Sequence, residues 1–111
     1  MPGRALHPEL REVLGELRAR LERLYGDGLV EVVLFGSRAR GEADPDSDID
    51  VLVVLREPVQ PATEIARTGD IVAGLSLTHD VVISCVFMDE NRYRTRAGPL
   101  LRNVRREGIR V

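Results

Sequence analysis

The sequence predicts an α/β (α+β) domain, a small mixed β-sheet flanked by helices in the order αβ(α)βαβα. Three observations predict it. Leucines at positions 10, 14, 17, 21 and 24 recur at steps of four and three, which places them on one face of a helix. Three short segments, 29–35 (LVEVVLF), 48–55 (DIDVLVVL) and 80–88 (DVVISCVFM), are rich in β-branched residues and have the length of strands. Between the second and third lies a stretch of crossover-helix length, so those two strands are expected to run parallel.

Pro8 suits the first turn of a helix over 8–25, with His7 as its N-terminal boundary, and Gly26 with Gly28 ends it. The strand 29–35 runs into Gly36-Ser37, and "SRARG" (37–41) is a short connecting segment. Eleven residues, 37–47, separate this strand from the next, which permits an antiparallel return. Segments 48–55 and 80–88 are nearly continuous apolar runs, as expected of strands covered on both faces. The stretch 60–79 carries Ile65, Ile71, Val72, Leu75 and Leu77 on a helical pattern, weakened by Gly69 and Gly74. Residues 89–96 read as a short helix. Residues 99–107 read as another, with Leu100, Leu101 and Val104 inward and Gly108 as its stop. No repeat, low-complexity tract or linker interrupts the chain, so residues 1–111 are expected to form a single domain.

Composition bounds the function. The chain has 111 residues, 43% hydrophobic and 31% charged, ordinary values for a globular protein. No apolar run approaches a membrane span, and "MPGRALHPEL" lacks the apolar core of a secretory signal. A cytoplasmic protein is the expectation. Cys85 is the one cysteine, which excludes an internal disulfide and a cysteine-based zinc cluster; within "VVISCVFM" it reads as a buried hydrophobe rather than a nucleophile. All sixteen basic residues are arginine, which excludes any site that needs a lysine, the Walker A loop included. Seven of them (Arg92, Arg94, Arg96, Arg102, Arg105, Arg106 and Arg110) fall between 92 and 111 against Glu107 alone. They are either solvated or meet a triphosphate or an acidic partner.

The acids are clustered too. Glu42, Asp44, Asp46, Asp48 and Asp50 fall within nine residues that contain no base. Side chains alternate along a strand, so Asp48 and Asp50 share one face, about 7 Å apart along the backbone. Such a pair can grip one hard cation. A parallel third strand that opens at Asp80 would bring its carboxylate beside them. An antiparallel return would bring Gly36-Ser37 to the same edge, where glycine admits a phosphate close to the backbone and serine offers a hydroxyl and an N–H. Arg38 and Arg40 lie nearby. Three carboxylates, a Gly-Ser turn and two arginines describe a site for metal ions and polyphosphate, the composition that two-metal in-line displacement requires. Glu42, Asp44 and Asp46 read as solvated loop acids, and Asp80 alone could be a strand-start cap. His79 points away from the Asp80 face and reads as a solvent-facing or packing histidine. An EF-hand beginning at Asp46 fails, because Val51 stands where the sharp-turn glycine belongs.

Gly36-Ser37, ten residues, then Asp48-Ile49-Asp50 resembles the G-S-x10-D-x-D signature of the DNA polymerase beta nucleotidyltransferase superfamily. The fuller string "FGSRARGEADPDSDIDVLVV" and the closing "GPLLRNVRREGIRV" are similar to its smallest branch, the minimal nucleotidyltransferases (MNT), over nearly the whole chain. The resemblance implies a polymerase-beta-like nucleotidyltransferase fold and transfer of a nucleoside monophosphate from ATP or another NTP to a hydroxyl, with loss of pyrophosphate. It implies that Asp48 and Asp50 hold two Mg2+ ions, that Asp80 completes the metal site and helps to deprotonate the acceptor, and that Gly36 and Ser37 hold the β- and γ-phosphates, assisted by Arg38 or Arg40. Members of this branch pair with a helical HEPN toxin and act as antitoxins that adenylylate one of its tyrosines, so a HEPN partner is expected here. Two alternatives stand beside this: the same chemistry on a small molecule or an RNA end, and a non-catalytic antitoxin that neutralises its partner by covering it. The acidic loop disfavours direct nucleic-acid binding. A homo-oligomer is compatible with the sequence.

Overall fold

Each helix of the chain has one apolar stripe, and the sheet has two apolar faces to cover. The computed structural model, which describes residues 6–41 and 47–111, shows how they are matched. Helix α1 (Pro8–Tyr25) starts where His7 Nδ1 accepts from the Glu9 N–H at 3.3 Å. It buries Leu10, Val13, Leu14, Leu17 and Leu21, each contributing about 1.5–3 kcal/mol of apolar burial. The expected stripe is shifted by a small angle, since Val13 is fully buried while Leu24 remains 41% exposed.

A 3-10 turn, Gly26–Gly28, leads into strand β1 (Leu29–Phe35). A four-residue turn of helix, α2 (Ser37–Arg40), and the loop behind it lead to β2 (Ile49–Leu55). Helix α3 (Pro61–His79) crosses to β3 (Ile83–Asp89), followed by α4 (Glu90–Thr95), α5 (Pro99–Glu107) and a two-residue strand β4 (Ile109–Arg110). The sheet order is β3-β2-β1-β4. β1 pairs antiparallel with both β2 and β4, whereas β2 and β3 are parallel. The mixed sheet and its flanking helices are the expected architecture, as are the antiparallel return and the parallel crossover.

Ile49, Val51, Val53, Ile83 and Phe87 face α1 and α3 in the larger core cluster. Val33, Leu52 and Val54 face α5 through Leu101 and Val104 in the smaller one. β2 is therefore sealed on both faces, while β3, at the sheet edge, is only partly covered, with Ser84 exposed.

Three expectations need correction. The third strand begins at Ile83, not at residue 80. α3 runs through His79, and Asp80 then adopts the left-handed conformation (φ 53°) as its C-cap. The Asp80 and Val81 N–H groups both donate to Ser76 O, so helix geometry consumes the residues that local propensity assigns to the strand. α3 is also rotated from the phase expected for it: Glu64, Thr68 and Leu75 face inward, while Ile65 is 57% and Leu77 85% exposed. Burial of Glu64 is tolerated because Tyr25 donates its hydroxyl to Glu64 Oε1 at 2.6 Å, and Arg67 lies 3.6 Å from the same oxygen. Finally, β4 was not expected. Gly108 packs so tightly beneath Val33 and against Val104 O that a Cβ there would collide with both, and this close passage delivers Ile109–Arg110 to β1. Among the described residues no helix is long and apolar enough to cross a membrane.

Candidate active site

The antiparallel return of β2 beside β1 joins two distant pieces of sequence. Phe35 pairs with Asp50 in the ladder, so Gly36, the next residue, lies against the Asp50 side chain. Gly36 has φ 79° and ψ −162°, and a Cβ there would stand 2.6 Å from Asp50 Oδ2. Only glycine serves in this position, for backbone conformation and for space. Gly36 O accepts from the Ala39 N–H (3.1 Å) and the Arg40 N–H (3.2 Å), which closes the α2 turn.

Asp48 and Asp50 share one face of β2, with Ile49 fully buried on the other. Asp48 is exposed and Asp50 half-buried. Desolvation of Asp50, and then the negative charge of Asp48, hold the Asp50 carboxyl above the ordinary aspartate range. A cation between the two would remove that repulsion, and two hard carboxylate oxygens suit Mg2+. The donor set therefore fits a divalent metal. Whether a third carboxylate joins is a matter of register: Ile49 pairs with Ile83 and Asp50 with Ser84, and the Ile49 N–H donates to Val82 O at 2.8 Å. The residues beside Asp48 and Asp50 are thus Val82, just ahead of the third strand, and Ser84 within it. Asp80 is exposed in its helix cap, two residues further out than Val82, and the structure does not bring it to the pair. Among the described residues no three His, Cys, Asp or Glu side chains are grouped to hold a metal ion.

Two arginines frame the turn. Arg38 donates from Nη1 to Ser47 O at 2.9 Å, which ties α2 to the residue just ahead of Asp48. Arg40 donates from Nη1 to both Glu107 oxygens, at 3.0 and 3.1 Å, which ties α2 to the end of α5. Sequence reasoning missed Glu107, Val82 and Ser84. Glu107 carried one signal, as the lone acid of an arginine-rich tail. Val82 and Ser84 carried none, because their place depends on where α3 hands over to β3. Glu42, Asp44 and Asp46 lie outside the described residues.

Other candidates are accounted for structurally. His79 Nε2 lies 2.6 Å from Glu16 Oε2, joining α3 to α1 with the ring largely buried. Burial pushes the Cys85 thiol up to about 11, so it is protonated at neutral pH and a poor nucleophile. Of the C-terminal arginines, Arg94 pairs with Glu90, Arg110 with Glu31, and Arg105 caps the carbonyls of Tyr93 and Arg96.

The carboxylate pair thus stands on a mixed sheet against the Gly-Ser turn. The chain belongs to the nucleotidyltransferase domain family, whose model matches residues 14–105. It is 36% identical over 76 residues to MJ0141 of Methanocaldococcus jannaschii, a candidate protein adenylyltransferase, covering 68% of this chain and 76% of that one. Among solved structures it is similar to a candidate minimal nucleotidyltransferase at 32% identity and a TM-score of 0.60, over 96% of this chain and all of the other. It shares the fold of a chain in the complex of tri-AMPylated Shewanella oneidensis HEPN toxin with MNT antitoxin (20% identity, TM-score 0.52, 88% of this chain and 70% of that one).

Proposed function

We propose that this nucleotidyltransferase transfers AMP from ATP to a hydroxyl of a partner protein, a tyrosine of a helical HEPN toxin, and so acts as the antitoxin of a two-component system in the cytoplasm. The observation that carries the chemistry is the close approach of Gly36 to Asp50, which makes a phosphate-accessible turn and a carboxylate pair into one site. The choice of acceptor is supported by the names of similar proteins, a candidate protein adenylyltransferase and an MNT antitoxin in complex with an AMPylated HEPN toxin.

In this reading Asp48 and Asp50 hold the metal. When bound, Mg2+ neutralises the triphosphate and stabilises the charge that develops on the leaving pyrophosphate. Gly36 lets phosphate oxygens approach the backbone, and Ser37 donates its hydroxyl and N–H to the β- and γ-phosphates. Turn and carboxylate pair together orient the α-phosphorus, so that the acceptor oxygen attacks opposite the departing pyrophosphate. Arg38 and Arg40 add positive charge on the phosphate side and fix the turn through Ser47 and Glu107.

The test is to incubate the protein with Mg2+, each α-labelled NTP and the helical protein encoded beside it. Label from ATP should appear on a tyrosine of that protein and vanish with Asp48→Asn. Transfer to a small molecule or an RNA end, with none to the partner, would leave nucleotidyl transfer standing and overturn the antitoxin assignment. Neutralisation by the Asp48→Asn variant equal to that of wild type would show that binding, rather than catalysis, silences the partner.

A further inference from the structure

We infer that, among the described residues, the metal site of this chain has two carboxylates, Asp48 and Asp50, with Val82 in the place beside Asp48 that a third would take. The inference rests on the metal role proposed above for Asp48 and Asp50. Its grounds are the register and the helix cap. The parallel ladder sets Ile49 against Ile83, so Val82 stands beside Asp48 and Ser84 beside Asp50. The Ile49 N–H donates to Val82 O at 2.8 Å, which holds Val82 against this end of β2, one residue ahead of β3. Ile83 is buried on the opposite face, and alternation turns Val82 and Ser84 to the face that carries the two aspartates. Val82 is 58% exposed there, an apolar side chain at the open edge of the site.

Asp80 is held away from this edge by its backbone. Its left-handed φ of 53° and the two bonds from the Asp80 and Val81 N–H groups to Ser76 O make it part of the end of α3. To stand beside Asp48 it would have to give up both bonds and move two residues along the strand, a shift of about 6.6 Å. The neutral Ser84 hydroxyl can accept or donate a hydrogen bond, but it brings no charge to a cation.

Two consequences follow for the reaction. With two carboxylates instead of three, the site holds its divalent cations more weakly, because affinity for hard cations follows the charge of the ligand set. No carboxylate of β3 stands beside Asp48 and Asp50 to take the acceptor proton, since Asp89, the acid of that strand, pairs with Leu55 at its far end. As the acceptor oxygen bonds to the α-phosphorus and the bond to pyrophosphate breaks, that proton goes to solvent water. Val82 instead presents the acceptor with an apolar wall next to the reacting edge.

The experiment is a Mn2+ titration followed by electron paramagnetic resonance on the full chain, without nucleotide or partner. Asp80→Asn keeps a residue type that tolerates the left-handed cap and should bind Mn2+ within about twofold of wild type. Val82→Asp, at an exposed position, should tighten binding by roughly tenfold or more, since it restores a third charge. Leu77→Asp adds the same charge at an exposed position on α3 outside the site and should change nothing. Loss of Mn2+ affinity in Asp80→Asn, or no gain in Val82→Asp beyond that of Leu77→Asp, would overturn the two-carboxylate assignment while leaving the metal role of Asp48 and Asp50 intact. Unchanged binding in Asp48→Asn and Asp50→Asn would overturn that role itself, and this inference with it.

Discussion

Replacing Gly36 by alanine separates the structural from the chemical part of the site. The backbone there has φ 79° and ψ −162°, a region that residues with a Cβ enter at a cost of about 1–3 kcal/mol. The added methyl also meets Asp50 Oδ2 at 2.6 Å. That oxygen is the end of a rotatable side chain, so it can swing away for about 0.5–1.5 kcal/mol of off-rotamer strain. The backbone therefore dominates the loss of stability, and the carboxylate dominates the loss of function. For a domain of 111 residues each kcal/mol lowers Tm by about 4 °C, so with both costs Gly36→Ala should melt roughly 6–18 °C below wild type. Urea denaturation at pH 7 measures the stability, and Mn2+ titration measures the displaced ligand. In an Asp50→Ala background the cost of Gly36→Ala should fall by only the side-chain part, about 0.5–1.5 kcal/mol. A Gly36→Ala protein within about 0.5 kcal/mol of wild type and with undiminished Mn2+ binding would refute the reasoning.

Further outcomes follow from the same geometry. Because Asp50 titrates above its ordinary range in the fold, the folded state holds its proton more tightly than the unfolded chain. Its stabilising contribution is full below the ordinary aspartate range and is lost as pH rises through the raised value. Asp50→Asn should thus raise Tm at pH 7 in the absence of metal and leave it unchanged near pH 3, as read by calorimetry across pH. For the Arg40–Glu107 pair the Glu107 side chain is the more buried, 10% exposed against 37% for Arg40. Arg40→Ala should therefore destabilise more than Glu107→Ala, by about 1–3 kcal/mol against less than about 1 kcal/mol, since it strands the buried charge; equal losses in urea melts would contradict the placement of the pair. Tyr25→Phe removes the hydroxyl donated to Glu64 and should cost about 1–2 kcal/mol in the same melts. Cys85, with its thiol pushed up to about 11, should resist iodoacetamide at pH 8 in the native protein and react after denaturation.

By itself the sequence determined what short-range periodicity and fixed spacing can carry. The leucine steps of α1, the β-branched runs of β1 and β2 and the ten residues between Ser37 and Asp48 were enough to bring the Gly-Ser turn to the aspartate pair. A strand's alternation and a hairpin's return depend on the local chain alone. Tertiary structure decided what rests on competition between elements for the same residues. Asp80 could open a strand or close a helix, and packing of α3 along α1 and β3 gave it to the helix, which left Val82 and Ser84 beside the carboxylates. The rotation of α3 that buries Glu64 and Thr68 and exposes Leu77 was settled by the partner Tyr25 offered from α1. Arg40 is named near the phosphates by the resemblance, and the bond that ties it to Glu107, 67 positions away, is made only when the sheet closes. Contacts of that range depend on how the elements pack, and no single stretch of sequence contains them.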